Sequence, residues 1–207
     1  MDYIQTHREI YDALAEGYEQ RVEILREVTE KAVSLFEDQI KTGKEVLELG
    51  PGVGLATQLL TQHGFSPTGV ELSPKMAAFS QKRNPSVEIL VGDFLEMKFK
   101  KQFDGVFAFA FIHLFPKEDA QRVIEKVYRI LKPGGIFYVG TTESAESGEG
   151  WEAKTDYPGG QKRFRKRWTE KEFTAFLKTG GFRGIAVHKI TDPFAKRWMD
   201  FVVQKPL

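Results

Sequence analysis

Three glycines fall within five positions of Val46-Leu47-Glu48-Leu49-Gly50-Pro51-Gly52-Val53-Gly54, directly after an apolar run. Glycines let a backbone take positive φ and pass close to a ligand. A strand that runs into such a turn and then opens a helix puts the turn at the strand's carboxyl end, where open α/β sheets bind cofactors. The dinucleotide fingerprint G-x-G-x-x-G needs its third glycine where Leu55 stands; here it comes one residue early, at Gly54. Glu48 would repel a pyrophosphate and suits a ligand with a positive end, such as an amino acid ammonium. A Walker A loop needs Gly-Lys-Ser/Thr, which is absent.

Two other places carry chemistry. His113 follows an apolar segment, and as a neutral imidazole it can take a proton from a hydroxyl or an amine. Its alternative is a structural histidine bonded to a neighbouring loop. His63 stands at a helix C-terminus and suits the dipole there; His7 and His188 show no partner in the sequence. The run Gln161-Lys162-Arg163-Phe164-Arg165-Lys166-Arg167-Trp168 interleaves basic and aromatic residues. It reads as a nucleic-acid strip that stacks and neutralises, as an extended arm with alternate residues in water, or as a flap over a site. Alternation puts Arg163, Arg165 and Arg167 on one side and Phe164, Lys166 and Trp168 on the other.

The elements that must position these residues follow from pattern. Residues 1–41 read as helix from the recurrence of Ile10, Leu14, Tyr18, Val22 and Leu25, then Val28, Ala32, Leu35 and Phe36. Gly17 is the expected break and Thr42-Gly43 the stop. Strands are expected at 45–49, 66–71, 87–91, 103–111 and 136–140, and helices at 55–63, 74–83 and 117–131. Ser73 is the expected N-cap of the second of these helices, with Pro74 at N1, and Gly64 the C′ residue that ends the first. Lys132-Pro133-Gly134-Gly135 reads as a turn. After it come a loop over 144–160, an extended piece at 161–167, a helix at 169–179, and strands at 183–190 and 198–203. Alternating strands and helices argue for a doubly wound, mainly parallel seven-stranded α/β sheet with helices on both faces. The last two strands have no helix between them and are expected to pair antiparallel.

Composition narrows the rest. At 207 residues the chain is expected to form one domain. Lys plus Arg number 30 against 29 Asp plus Glu, so no global charge draws it to nucleic acid or an anionic membrane. There is no cysteine, which excludes disulfides, thiolate metal sites and cysteine nucleophiles. No apolar run approaches the roughly 20 residues a membrane span needs, and Met1–Glu9 carries no signal-like stretch; a cytoplasmic location is expected. The 17 Phe exceed an ordinary share, and some can line a pocket for an apolar or aromatic ligand.

In order and spacing, five segments resemble the class I (Rossmann-like) S-adenosylmethionine-dependent methyltransferase family. They are Glu48-Leu49-Gly50-Pro51-Gly52-Val53-Gly54, Gly69-Val70-Glu71-Leu72-Ser73, Gly92-Asp93-Phe94, Phe103-Asp104 and Leu131-Lys132-Pro133-Gly134-Gly135. Together they cover about residues 44–142. The resemblance implies that Glu71 takes both ribose hydroxyls and that Asp93 accepts from the adenine amino group, though Asp93 can equally cap a turn. Leu72 or Phe94 would pack on the ring. Glu48, Gly50, Gly52 and Gly54 would give room to the methionine part, with Phe109 and Tyr18 also at the cofactor. It implies residues 1–41 as a helical lid, 44–142 as the cofactor half, and 143–207 as acceptor-side loop, flap and hairpin.

The resemblance also favours the flap and places His113 on the active-site face as the candidate base. Tyr11, Trp151, Phe164 and Arg165 become candidate acceptor contacts. The implied reaction is N- or O-methylation of a small molecule by in-line displacement, yielding S-adenosylhomocysteine, with no metal. Cytosine-5 methylation lacks its cysteine. The Asn/Asp-Pro-Pro-aromatic motif of base-amine and glutamine methylation is replaced by Phe109-Ala110-Phe111-Ile112-His113. An RNA or protein acceptor, or a non-catalytic cofactor-binding role, stays open. Nucleic acid is not an expected partner, and the sequence does not choose between monomer and homodimer.

Overall fold

The computed structural model describes residues 2–41, 43–154 and 160–207. Thr42, part of the expected helix stop, and residues 155–159 of the expected loop lie outside the described residues. The helices are α1 (Tyr3–Arg21), α2 (Arg26–Glu37), α3 (Leu55–Gln62), α4 (Pro74–Arg83), α5 (Lys117–Ile130) and α6 (Glu170–Thr179). The strands are β1 (Glu45–Leu49), β2 (Ser66–Glu71), β3 (Glu88–Val91), β4 (Phe103–Phe109), β5 (Leu131–Thr142), β6 (Gly148–Ala153), β7 (Lys162–Arg167), β8 (Arg183–Thr191) and β9 (Arg197–Gln204).

The main sheet has seven strands in the order β3-β2-β1-β4-β5-β9-β8. The first five are parallel; β9 pairs antiparallel with both β5 and β8. Alternation along each strand feeds two cores. Leu47, Leu49, Val106, Ala108, Phe137 and Val139 join α5 and α6 on one face. Val46, Phe107, Ile136 and Tyr138 join α2 and α3 on the other. A strand covered on both faces must be apolar at nearly every position, as β4 is. The order in which strands are added reverses between β1 and β4, because β2 and β3 lie on one side of β1 while β4, β5, β9 and β8 lie on the other. That switch point opens a crevice at the strands' carboxyl ends.

Local chemistry sets the helix starts. Ser73 Oγ accepts the Met76 N–H at 3.1 Å, with Pro74 at the first helical position. Thr169 caps α6 in the same way through the Glu172 N–H. Gly64 takes φ +80° after α3.

Three local expectations are corrected. The N-terminal helix runs through Gly17 and changes instead to a 3-10 turn at Val22–Leu25. A mid-helix glycine costs only about 1 kcal/mol, and α1 is held on both sides of it by contacts to α4, among them Asp12 with Ser73 and Glu19 with Arg83. Lys132–Gly135 is a bulge inside β5 rather than a turn before it. Leu131 pairs with Phe103, Ile136 pairs with Gly105, and the four residues between them face Asp104 alone. Residues 148–153, within the expected loop, are β6, paired antiparallel with β7 as a separate two-stranded sheet. Its Gly- and Glu-rich sequence lacks the β-branched pattern of a strand, and its register comes from its partner. Among the described residues, no helix is long and apolar enough to cross a membrane.

Candidate functional site

The crevice at the switch point encloses a cavity of about 250 Å³. Its floor is the glycine turn after β1. Gly50 donates its N–H to Val70 O at 2.9 Å, which ties the turn to β2. Gly52 has φ +57°, and a Cβ built on it would meet nothing within 4 Å. Only the backbone conformation restricts that position, and the space above it belongs to the cavity. Gly54 serves differently from its expected role. A Cβ there would strike Ser80 and Asn84 of the α4 end at 2.6 Å, so this glycine lets two helices approach and does not line the cavity.

Two carboxylates stand beside the turn. Glu71, at the end of β2, is buried; its Oε2 accepts the Gly52 N–H and its Oε1 the Ser73 N–H, each at 2.9 Å. Burial raises its pKa, while those backbone donors and that of Leu72 pull it back. Glu48 is 2% exposed and accepts a 2.6 Å hydrogen bond from Thr57 Oγ1. Burial, opposed by Thr57 and assisted by the nearby Glu71, pushes its carboxyl up to about 8. A carboxyl in that state ionises when a positive group arrives. Asp93 lines the cavity, and one of its oxygens caps the following turn through the Leu95 N–H at 2.8 Å. The two roles weighed for Asp93 are thus compatible. Leu72 and Phe94 also line the cavity. The Phe94 ring is buried against Phe99 and Phe111, with Lys126 Nζ 4.7 Å from its centre.

The roof is α1. Ile4, His7, Tyr11, Tyr18 and Arg21 face the cavity from one side of the helix. Tyr3 Oη donates to Asp119 at 2.6 Å, Asp12 accepts from Ser73 Oγ at 2.5 Å, and Arg83 grips Glu19 through two 2.8 Å bonds. His7 Nε2 lies 3.1 Å from Phe164 O, and a carbonyl can only accept, so that nitrogen carries the proton. Burial, opposed by this bond and helped by Arg163, lowers the His7 pKa to about 4.

The far wall comes from the end of β4, β5, β7 and the β8–β9 turn. Ala110 takes φ +58°, a conformation costing about 1–2 kcal/mol for a residue with a Cβ. It turns the chain out of β4 into the 3-10 segment Ile112–Leu114. His113 is 3% exposed and lines the cavity, with Nδ1 3.4 Å from Thr141 Oγ1. Burial, then the charges of Arg165, Arg163, Lys196 and Lys154, hold its pKa well below the ordinary histidine value. It is neutral at pH 7.

β7 presents Arg163 and Arg165 to the cavity. The opposite set, expected as the alternative inward side, goes elsewhere. Trp168 is fully buried against Phe173 and Phe176, and Lys166 meets Glu172. Phe164 and Trp151, expected at the acceptor, do not line the cavity. They pack edge to face on each other, and Phe164 also meets Tyr3. The cross-strand pairing of Trp151 with Phe164 puts both rings on one face of the small sheet. Phe109 does line the cavity, 4.8 Å from the Trp198 ring. Lys154, Asp192, Lys196 and Trp198 are wall residues that the sequence did not mark. Asp192, Lys196 and Trp198 reach the site because β9 lies beside β5, and Lys154 because β6 pairs with β7. Among the described residues, no three His, Asp or Glu side chains gather as a metal site would require.

A glycine turn at the switch point, flanked by strand-end carboxylates under a helical roof, defines a Rossmann-like methyltransferase fold. Residues 47–139 match the family model described as a methyltransferase domain. Over 99 residues the chain is 34% identical to an uncharacterized methyltransferase of Synechocystis, covering 47% of each chain. It is 34% identical over 97 residues to a demethylmenaquinone methyltransferase of Chlorobaculum tepidum, covering 46% of this chain and 39% of that one. In fold it matches a 1,6-didemethyltoxoflavin-N1-methyltransferase of Burkholderia thailandensis, solved with 1,6-didemethyltoxoflavin and S-adenosylhomocysteine bound. The TM-score is 0.81 at 19% identity, over 100% of this chain and 90% of that one. Residues 47–139 thus match a methyltransferase domain, and the chain shares its fold with a solved methyltransferase that holds S-adenosylhomocysteine. This chain spans about half the length of the curated relatives it matches, or less.

Proposed function

We propose that the chain transfers a methyl group from S-adenosylmethionine to a nitrogen or oxygen of a small-molecule acceptor. The observation that carries this reading is the pair of buried carboxylates on the glycine turn. Glu71 is fixed in direction by two backbone donors, and its remaining lone pairs suit a ribose diol. Glu48 is a buried acid held protonated until a cation neutralises it, which suits the ammonium of a methionine moiety. Gly50 and Gly52 bring the backbone alongside, Asp93 faces an adenine amino group, and Leu72, Phe94, Phe109 and Tyr18 enclose the rest.

The cofactor, when bound, supplies an already activated methyl on a sulfonium, displaced in line. The protein's own work is then placement and exclusion of water. The α1 roof and the aromatic wall cover the cavity in part. His113, neutral in its cation-lined setting, accepts the proton an attacking hydroxyl or amine must lose. Tyr11 and Arg165 stand on the acceptor side. The similar demethylmenaquinone and 1,6-didemethyltoxoflavin methyltransferases, both named for small-molecule acceptors, support this size class.

Calorimetric titration with S-adenosylmethionine, S-adenosylhomocysteine and NAD tests the cofactor. Micromolar binding of the first two and none of the third is expected. The reverse pattern overturns the reading. A screen of candidate acceptors with labelled methyl donor then tests transfer.

A further inference from the structure

The loop after β3 carries Gly92, Asp93 and Phe94 to the cavity. Its start is tied to β2, since the Gly92 N–H donates to Glu71 O at 2.8 Å. Within the loop the Leu95 N–H goes to Asp93 Oδ1, and the Glu96 and Met97 N–H groups go to Asp93 O. The donors of this turn are thus used locally, whereas three of its carbonyls meet one side chain from outside, Lys126 of α5. Lys126 Nζ donates to Phe94 O, to Leu95 O at 3.0 Å and to Met97 O at 2.5 Å. An ammonium has three protons, and all three are used here. The same nitrogen lies 4.7 Å from the centre of the Phe94 ring and 5.6 Å from that of Phe99, within cation–π range.

We infer that Lys126 is a positioning residue for the cofactor: it holds the 92–97 loop so that Asp93 meets the adenine amino group, and so sets the site's preference for adenine over a base without that group. This rests on the methyl-transfer reading, in which Asp93 faces the adenine.

Three observations carry it. First, the anchor is rigid. Ala120, Val123, Ile124 and Val127 of α5 are fully buried in the core, so the helix places Lys126 and Lys126 places the loop. Second, the ammonium is committed to the loop. Among the described residues its hydrogen bonds all go to these carbonyls, as a lysine's do at the carbonyl end of a helix. Burial lowers its pKa, and Asp93 and Glu96 oppose that shift, so the loop's own carboxylates favour the charged clamp. Third, the loop moves as a unit with Asp93. A Cβ on Gly92 would meet Met97 Cε at 3.1 Å, so the end of the loop closes over its start. Asp93 Oδ1 is held by the Leu95 N–H, which leaves Oδ2 for the adenine and makes its direction follow the turn that Lys126 fixes.

Calorimetry on the full chain tests this, with S-adenosylhomocysteine and S-inosylhomocysteine as probes. The second carries a carbonyl where adenine has its amino group. The native chain should prefer the first by about ten-fold or more, the range for a hydrogen bond to a charged group. Lys126→Met should weaken S-adenosylhomocysteine about ten-fold and the inosyl probe at most about two-fold. Lys126→Arg, which keeps the charge and the donors, should restore most of the preference. In Asp93→Ala the preference should already be gone, and adding Lys126→Met should change it no further. A Lys126→Met variant that keeps the native preference overturns the inference. So does one that loses both probes equally, which is what a lysine serving stability alone would give. If a thermal melt shows Lys126→Met unfolded, Lys126→Gln takes its place: a reduced preference is expected, and a native one overturns the inference. A native chain that binds S-adenosylhomocysteine without preferring it takes Asp93 off the adenine and the inference with it. A native chain that binds neither probe removes the methyl-transfer reading itself.

Discussion

The two ends of the cavity are built in opposite ways. At the β1–β2–β3 end the polar groups are carboxylates, each within a few residues of a strand end; Glu71 and Asp93 are fixed by backbone N–H groups of the next turn and Glu48 by the Thr57 hydroxyl. At the β5–β9 end they are cations, drawn from β7, the segment just after β6, and the β8–β9 turn, and the two arginines are aimed by hydroxyls on other elements. The first end is local and its geometry survives as long as the parallel strands do. The second is assembled from remote segments, so its ligand preference can change while the fold stays. That division suits one common ligand and one particular ligand in a single cavity.

Four variants probe the contrast. The largest effect is expected at the local end. Glu71→Ala removes the acceptor for two backbone donors and the proposed diol contact together, so cofactor affinity should fall by about 3 kcal/mol, the upper range for hydrogen bonds to a charged group. Calorimetry and a thermal melt check it. A folded variant with native affinity would take Glu71 out of the site and dissolve the comparison.

At the assembled end, His113→Asn should lower kcat about 100-fold, the low end for a general base, while cofactor affinity stays put. Because the His113 pKa lies well below its ordinary value, the native kcat should show no histidine titration between pH 6 and 8. A kcat that rises through pH 6.5 and flattens would show the cations do not control this imidazole.

Glu48 gives a third test. Its folded pKa of about 8 lies above the unfolded value of 4.5, so its contribution to stability is complete below pH 4.5 and lost as pH rises through 8. Glu48→Gln keeps the Thr57 acceptor without the charge. Its melting temperature should exceed that of the native ligand-free chain at pH 8.5 and match it more closely at pH 6. Cofactor binding at pH 7 should also release a proton in the native chain and not in the variant, read from calorimetry in buffers of different ionisation enthalpy.

The smallest effect lies outside both ends. His63 bridges Glu30 and Glu37 at 2.6 Å each. Burial opposes its protonation, but the two hydrogen bonds prevail and raise its pKa. Its stabilisation is therefore full below pH 6.5 and fades as pH climbs through the raised value. His63→Ala should cost at most about 1 kcal/mol at pH 6, less at pH 9, and leave ligand binding unchanged. Any loss of cofactor affinity would mean that α2 and α3 couple to the glycine turn.

The sequence by itself determined the parallel half. Apolar runs, caps such as Ser73, and the glycine turn are short-range signals, because a strand, its turn and the next helix are contiguous. They put Glu48 beside the glycine turn, and the family resemblance of Gly69–Ser73 and Gly92–Phe94 put Glu71 and Asp93 in the same crevice. Local signals also misled where partners decide. Gly17 reads as a break but is outweighed by contacts between α1 and α4, and residues 148–153 read as loop because β6 takes its form from β7. The inward side of β7 was undecidable in the sequence, since alternation names two sides and not which one faces the cavity. Only the tertiary structure sent Arg163 and Arg165 in and Trp168 into the core, where burial of its ring against Phe173 and Phe176 outweighs its place in a basic run. Lys196 and Trp198 had no signal at all, because they reach the site through the pairing of β9 with β5 across a long sequence separation, and such pairing is set by what the whole sheet can bury; Lys154 was hidden because β6 itself reads as loop.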